Sequence, residues 1–469
     1  MKVILFGTGK HYDEYKIFFC NDEIICLLDN DNTMQGRQKD GFEILSPADG
    51  VRLTYDAIFV LSTYKREITN QLLNLGVRQE YIYQEEDIYK HCGAEWRDKS
   101  VEHYGSTKSL EEIITGNIIA LTDDLEITGA VVALQNLLCC WREQGEFCVI
   151  ASPVDGPMRE EFLKHGIDVI IAPAIRILPL DELYWLDKSR FILLNTVFMY
   201  KSLLSHKKYS SIMWWLHDSE MLYQGINNEV LQDIDWKNVF IYAVSDIAAL
   251  PMVNRIGAIN VGRFTYGLKD VAKFEANTYI DVKKDKLVFA MIGSVTKVKG
   301  VDVFLAAINE MDKSITDSCE FWIVGGHETA FGREICNEAE HISSVRVFSV
   351  MGRDEIIKIY QRIDVLVCPS RDDSLPVVAS ESMMFSHPCI VSDRTGTATF
   401  IKPQVNGLIC EAGNSKSLVN CIEWMFNNRK WLPQMGEAAR RTFENIFSLK
   451  VLSVNANYIL QECTKLSKK

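Results

Sequence analysis

Short apolar runs rich in Val and Ile alternate along the whole chain with stretches whose apolar positions recur at helical spacing. The runs read as strands: Val3–Phe6, Ile24–Leu28, Ala57–Leu61, Ile118–Leu121, Cys148–Ala151, Val169–Ile171, Phe191–Leu194, Ser211–Leu216, Ile241–Val244, Leu287–Ile292, Glu320–Val324, Val345–Phe348, Val365–Cys368 and Pro388–Ser392. A strand that is apolar on both faces is buried on both. Strand–helix alternation therefore predicts parallel sheets sandwiched between helices, an α/β fold. Ligands then bind beyond the carboxyl ends of strands, at a switch point of the sheet or between domains.

The pattern breaks twice. The charged stretch Gln84–Leu110, with Glu85, Glu86, Asp87, Arg97, Asp98 and Lys99, reads as a linker, and so does the Lys- and Asp-rich Asp270–Lys286. Four segments follow: 1–105, 106–270, 271–440 and a helical tail, 441–469, with apolar positions Phe443, Ile446, Val451, Val454, Tyr458 and Leu460. At about 100–200 residues per domain, a length of 469 agrees with three domains.

Composition narrows the function classes. With 47% hydrophobic and 24% charged residues the chain is ordinary globular protein rather than a disordered or repetitive one. The net charge of −13 repels phosphate backbones and excludes nucleic acid as a general partner. No apolar run approaches the roughly 20 residues of a bilayer span. The apolar Met1–Gly9 is too short for a signal peptide, so the expected location is the cytoplasm. Thirteen scattered cysteines with no CxxC spacing argue against a disulfide framework or structural zinc.

The strongest chemical signal is Asp364–Glu381, DVLVCPSRDDSLPVVASE. A buried strand ends in a Pro-Ser turn, a polar loop follows, and a helix begins near Val377. The backbone N–H groups around Leu375–Val378 suit an anion such as phosphate. Asp373 lies in the loop. Glu381, eight positions on, can accept hydrogen bonds from sugar hydroxyls. On spacing alone, a loop acid plus a helix-surface Glu explains the pair equally well.

The segment resembles the E-x7-E signature of the retaining GT-B glycosyltransferases of family 4, with Asp373 in place of the first Glu. The resemblance continues through Phe289–Gly300 (FAMIGSVTKVKG), Ile323–Gly326, Val345–Gly352, Ser386–Ser392, Asp393, Gly396 and Asn406–Gly407. Further upstream it takes in Thr128–Gly129–Ala130, Trp214–Ser219 (WWLHDS), Val244–Asp246 and Tyr266–Leu268, so that it covers roughly residues 115–430. It implies two Rossmann-like domains, an acceptor domain at 106–270 and a donor domain at 271–440, with the tail packing back on the acceptor domain. It also implies transfer of a sugar from a nucleoside diphosphate sugar to a hydroxyl on a glycan, lipid or protein. The carried-over donor-site residues are Gly129, Gly293, Lys299, Arg371, Val377, Val378 and Glu381. Asp373 would hold the donor sugar, His217 would face the transferred sugar, and Lys299 would hold the diphosphate. No cofactor is required and no metal is implied, because Asp123–Asp124 and Asp372–Asp373 are adjacent pairs rather than DxD motifs. A lipid-linked acceptor would bring the chain to the inner membrane face, with Lys201 and Lys207–Lys208 as contacts. A homo-oligomer or a paralogue partner stays open.

Three departures stand out. Ser294 occupies a position where the family often has Arg, leaving Lys297 or Arg371 to replace it. Thr399 stands where Gly-Gly-x-x-Glu would place an acid, and Asp373 is one methylene short. These motivate a second reading, a non-catalytic partner subunit with the same fold. The first block, opening KVILFGTGK, carries half of a dinucleotide fingerprint: Gly7, Gly9 and, about 20 residues on, Asp29. Tyr12 takes the place of the third glycine. With Gly41–Pro47 and Leu72–Tyr83, the block resembles small Rossmann-like sugar-nucleotide-binding domains. A nucleotide at Gly7, Gly9 and Asp29, an assembly role, and NAD-dependent chemistry are its three readings.

Overall fold

The computed structural model describes residues 1–469 apart from 98, 100, 210, 258–259, 273–285, 327 and 467–469. Asp98, most of the segment Asp270–Lys286 and the end of the basic tail lie outside the described residues. The described strands form three sheets of six, eight and six strands. The first holds β1 (Lys2–Phe6), β2 (Glu23–Leu28), β3 (Gln38–Lys39), β4 (Phe42–Leu45), β5 (Ala57–Val60) and β6 (Ile82–Gln84), in the order β3-β4-β2-β1-β5-β6. The second holds β7 (Glu102–Tyr104), β8 (Ile118–Leu121), β9 (Cys148–Ser152), β10 (Asp168–Ile171), β11 (Phe191–Asn195), β12 (Ile212–Leu216), β13 (Val239–Ala243) and β14 (Val261–Arg263), in the order β14-β13-β12-β11-β8-β9-β10-β7. The third holds β15 (Leu287–Ile292), β16 (Cys319–Val324), β17 (Val345–Phe348), β18 (Val365–Cys368), β19 (Cys389–Ser392) and β20 (Gly407–Cys410), in the order β17-β16-β15-β18-β19-β20.

All neighbours pair in parallel except β3 with β4 and β7 with β10. The α/β class expected from strand–helix alternation is therefore the observed one. Apart from the edge strand β7, each sheet starts in its middle and grows outward in both directions. The chain reverses strand order between β1 and β5, between β8 and β11, and between β15 and β18. Those three gaps are where a doubly wound sheet opens a crevice. One boundary differs from the pattern reading: β7, within the segment assigned to 1–105, pairs with the second sheet. Three polar-rich edge residues carry no apolar run to announce them.

The tail returns to the second sheet. In the helix Leu449–Leu466, the Ala456 carbonyl accepts from Trp141 Nε1 at 3.1 Å and the Cys463 carbonyl accepts from Ser211 Oγ at 2.9 Å. Tyr242 donates its hydroxyl to Glu462 at 2.7 Å.

The first and second units share one apolar core, in which Phe18, Phe59 and Trp96 are continuous with Ile114, Leu178 and Tyr200. A charged knot crosses the same seam. Glu85 accepts from Lys65 at 2.9 Å and Lys201 at 3.1 Å, and His11 Nδ1 lies 3.0 Å away. Glu86 accepts from Lys65 and from Tyr200, each at 2.7 Å. Lys201 also reaches the Tyr15 hydroxyl. Burial opposes the Glu85 charge, yet Lys201 and Lys65 outweigh it and hold the carboxyl well below its usual range. Lys201, expected as a surface contact for lipid, is thus an interior residue. Its ammonium meets Glu85, more than a hundred positions away. Among the described residues no helix is long and apolar enough to cross a membrane.

Candidate active site

On the third sheet, β15 ends at Gly293, whose φ of +138° only glycine adopts without strain. Nothing lies within 4 Å of where its side chain would be, so the loop presents bare backbone to open space. Lys299 closes that loop, just before the helix Val301–Glu310, and meets Asp373 at 2.6 Å. Burial opposes the ammonium charge. Asp373 outweighs it and raises the lysine above its ordinary pKa. Asp373 is itself fixed by backbone: its N–H reaches the Arg394 carbonyl at 3.1 Å, and its carbonyl accepts from Gly396 at 3.0 Å.

Eight positions on, Glu381 sits buried in the helix Val377–Met384. Its carboxylate takes the Tyr360 hydroxyl at 2.9 Å and the Arg353 guanidinium. The helix begins after Pro376 with no side-chain cap, which leaves the N–H groups of Val377 and Val378 available to an anion.

The second sheet supplies the facing wall. Thr128 caps the helix Gly129–Glu143, and a Cβ on Gly129 would stand 3.3 Å from Val377. The two lobes touch around the crevice. The Met221 N–H donates to Asp372 at 2.9 Å, Tyr266 and Ser380 share a hydrogen bond of 2.9 Å, and Ser245 donates to the Ser374 carbonyl. A Cβ on Gly396 would overlap both Ser374 and Ser245. Gly129 thus meets Val377 across the seam, Lys299 and Asp373 pair beside the Met221–Asp372 contact, and Gly293, Val378 and Glu381 lie on the third-sheet side.

His217 follows β12 on the second-sheet side. Its ring stands edge-on to Trp215 at 4.3 Å, and its Nε2 is buried without a partner. Burial keeps the ring neutral and pushes its pKa down to about 3. Next to it, Asp218 accepts from the Val197 N–H at 2.6 Å, and burial pushes its carboxyl up to about 7. Asp123, beyond β8, accepts from the Thr196 hydroxyl at 2.9 Å. Burial, then the neighbouring Asp124, raises it to about 6.

Arg371 does not join the site. Its guanidinium clamps Asp302 through two bonds of 2.7 Å and also reaches the Lys297 carbonyl. It therefore cannot supply the missing diphosphate contact without breaking a fork-to-fork pair, the strongest geometry open to it. In the first unit the carboxylate of Asp29 is already engaged, by the Thr8 hydroxyl and by the Asp31 N–H at 2.9 Å. Lys39 caps the Thr8 carbonyl at 2.7 Å, and Tyr12 is buried where a third glycine would stand. Gly7 packs against Leu61, and only Gly9 keeps open space. A ribose at Asp29 would have to displace those partners.

Arg353, Tyr360, Asp123, Asp218 and Thr196 escaped the sequence reading. Only the His217–Asp218 pair directly after an apolar run offered a signal. Among the described residues no group of three or more His, Cys, Asp or Glu could hold a metal ion.

Comparison with known proteins bears on the fold and the kind of family. Residues 275–442 match the family model of glycosyl transferases group 1, and residues 1–83 match that of the C2185-like N-terminal domain. A D-inositol 3-phosphate glycosyltransferase of Thermobifida fusca is 24% identical over 216 residues, covering 42% of this chain and 49% of its own length. The N,N'-diacetylbacillosaminyl-diphospho-undecaprenol alpha-1,3-N-acetylgalactosaminyltransferase of Campylobacter jejuni is 27% identical over 157 residues, covering 34% of this chain and 39% of its own length. The chain thus spans half or less of these curated relatives. Among solved structures, Anabaena HepE in complex with UDP and glucose superposes with a TM-score of 0.59 at 14% identity, over 74% of this chain and 100% of that one. Two facing Rossmann-like lobes behind a small third Rossmann-like unit form a GT-B fold, and the part of it at residues 275–442 is similar to the glycosyl transferases group 1 family.

Proposed function

We propose that this chain is a retaining glycosyltransferase of the family 4 type. It would move a sugar from a nucleoside diphosphate sugar to a hydroxyl acceptor in cell-surface polysaccharide or glycoconjugate synthesis. The observation that carries the reading is the donor-side arrangement. The bare Gly293 loop, the Lys299–Asp373 pair, the uncapped helix at Val377 and the buried Glu381 all follow the carboxyl ends of β15 or β18, the two strands at the third sheet's switch point. The bond from the anomeric carbon to the diphosphate oxygen breaks, and the acceptor oxygen bonds on the same face. The acceptor proton leaves on the departing diphosphate.

The developing charge is met by Lys299 and by the N–H groups of Val377 and Val378, fixed in place before the reaction. Glu381 holds the ribose, Asp373 the donor sugar, and neutral His217 faces the sugar being transferred. No metal or cofactor is needed on this reading, so excess chelator should leave the rate unchanged. The UDP held by the Anabaena neighbour makes UDP-sugars the first donors to try. The undecaprenyl-linked acceptor in the Campylobacter relative's name makes lipid-linked saccharides the first acceptors.

The test is a thermal-shift panel of nucleotide sugars, followed by nucleoside diphosphate release from those that bind. A ligand at a hundred times its Kd should stabilise by about 2.7 kcal/mol. A panel without any shift, together with full activity in Glu381→Ala, would sink the reading.

A further inference from the structure

The N-terminal unit is not a tethered module. Its docking is made by charges that are almost wholly buried, and the carboxyl edge of its sheet points at the second lobe. The glycine turn after β1 leads into Lys10–Tyr15, which carries His11, Glu14 and Tyr15. His11 meets Glu85, and Tyr15 meets Lys201. Glu14 meets Arg176 of the second unit at 3.3 Å. The other arm of the Arg176 guanidinium donates to the Asp123 carbonyl, also at 3.3 Å. One arginine therefore links the N-terminal unit directly to the strand end that carries Asp123. After β5, Thr63 approaches the loop beyond Asp218, where a Cβ on Gly225 would stand 3.6 Å from it.

The strand ends beside this seam are unusual. Thr196 holds a φ of +72° with ψ of 162°, a region almost confined to glycine. It stays there because Asp123 takes its hydroxyl and Trp214 takes its carbonyl at 2.7 Å. Asp218 takes the next N–H. Around the same turn, three buried polar atoms have no partner: Asn195 Oδ1, His217 Nε2 and the Tyr223 hydroxyl. Asn195 and Tyr223 are fully buried. Asn195 is tied by its amide to Thr122, next to Asp123. Tyr223 ends the short helix Glu220–Tyr223 that directly follows Asp218 and Ser219, and burial, then the Asp218 carboxyl, raises its pKa. Such atoms cost free energy unless something polar meets them.

We propose that the N-terminal unit is a fixed second wall of the acceptor site, that Arg176 is the positioning residue coupling it to Asp123, and that the space beside Asp123, Asp218 and Tyr223 takes an uncharged, hydroxyl-rich group of the acceptor. The proposal rests on the glycosyltransferase reading above. Hydroxyls suit the place because each can donate to a carboxyl oxygen or Asn195 Oδ1 and accept from Tyr223.

The test uses the full chain and a UDP-sugar that it hydrolyses. Methyl α-glycosides of glucose, galactose and N-acetylglucosamine serve as probe acceptors. The readout is the ratio of sugar transferred to a probe over sugar lost to water, with UDP affinity measured in parallel. Wild type should transfer to at least one probe. Arg176→Met, Glu14→Gln and Tyr223→Phe should each lower the ratio at least about tenfold. Arg176→Lys should recover part of it. UDP affinity should stay within about twofold in the Arg176 and Glu14 variants, since neither residue touches the donor side.

Should Arg176→Met fail to fold, Glu14→Gln, which keeps size and removes only the charge, decides the matter. An unchanged ratio in Glu14→Gln and Tyr223→Phe overturns the proposal, as does a wild type that hydrolyses the donor but transfers to no probe. A chain that neither binds nor hydrolyses any donor defeats the glycosyltransferase reading itself, and the proposal with it.

Discussion

Two sets of ion pairs in this molecule use the same chemistry and are built oppositely. At the seam between the first two units, Glu85, Glu86, Lys65 and Lys201 all have side chains no more than 11% exposed. Each carboxylate there serves several donors. In the crevice between the lobes the acids are equally buried, Asp373 at 9% and Glu381 at 7%. Their cations are not: Lys299 is 36% exposed and Arg353 52%. A buried acid with a buried base is a closed contact whose value lies in holding two units together. A buried acid with an exposed base can be opened by a ligand that offers the base a phosphate and the acid a hydroxyl. Exposure of the cation separates the structural pair from the exchangeable one.

The contrast can be broken by substitution. The largest effect is expected at the seam. Lys201→Met leaves Glu85 without one of its two lysines and should cost about 3–5 kcal/mol in chemical denaturation, with nucleotide affinity of the folded fraction unaltered. Lys299→Ala should do the reverse. Its kcat should fall by about 10²–10³, while the denaturation midpoint moves by less than about 1 kcal/mol equivalent. If Lys299→Ala unfolds the chain and keeps its rate, the distinction is wrong. Arg371→Gln tests a pair near the crevice that the geometry assigns to structure. It should cost about 1 kcal/mol or less and leave donor affinity intact, whereas a large loss of affinity would return Arg371 to the site.

The last expected effect concerns pH. Burial raises Asp218 to about 7, so the folded chain keeps a proton that the unfolded chain has released. That contribution is complete below about pH 4, the ordinary carboxyl range, and is lost as pH rises through about 7. Stability should therefore fall between about pH 4 and 7, and less steeply in Asp218→Asn. Equal slopes in urea titrations of the two proteins would show that Asp218 ionises freely.

Much of this was legible in the sequence because burial on both faces writes continuous apolar runs. Ile118–Leu121, Leu287–Ile292, Val345–Phe348 and Val365–Cys368 are strands to the residue. Polar edge strands such as Gln38–Lys39 and Glu102–Tyr104 leave no such trace. On the third sheet, the helix start at Val377 could be read from the residue pattern, and Gly293 from the resemblance of its loop. The pairings could not. Arg371 chooses Asp302 across 69 positions and Arg353 chooses Glu381 across 28, and a charge in a sequence does not announce its partner. Lys201 shows the same limit: a lysine beside apolar residues looks like a surface group until the fold brings Glu85 and Tyr15 to it.

The tight meeting of Gly396 with Ser245 and Ser374 has a practical consequence. A methyl group there would overlap Ser374 within the third-sheet lobe and Ser245 across the seam at once. Gly396→Ala would therefore wedge in two directions, pushing the Ser374 loop out of its own lobe and Ser245 away from the other. The size of one carbon sets both the shape of that loop and how closely the two halves meet.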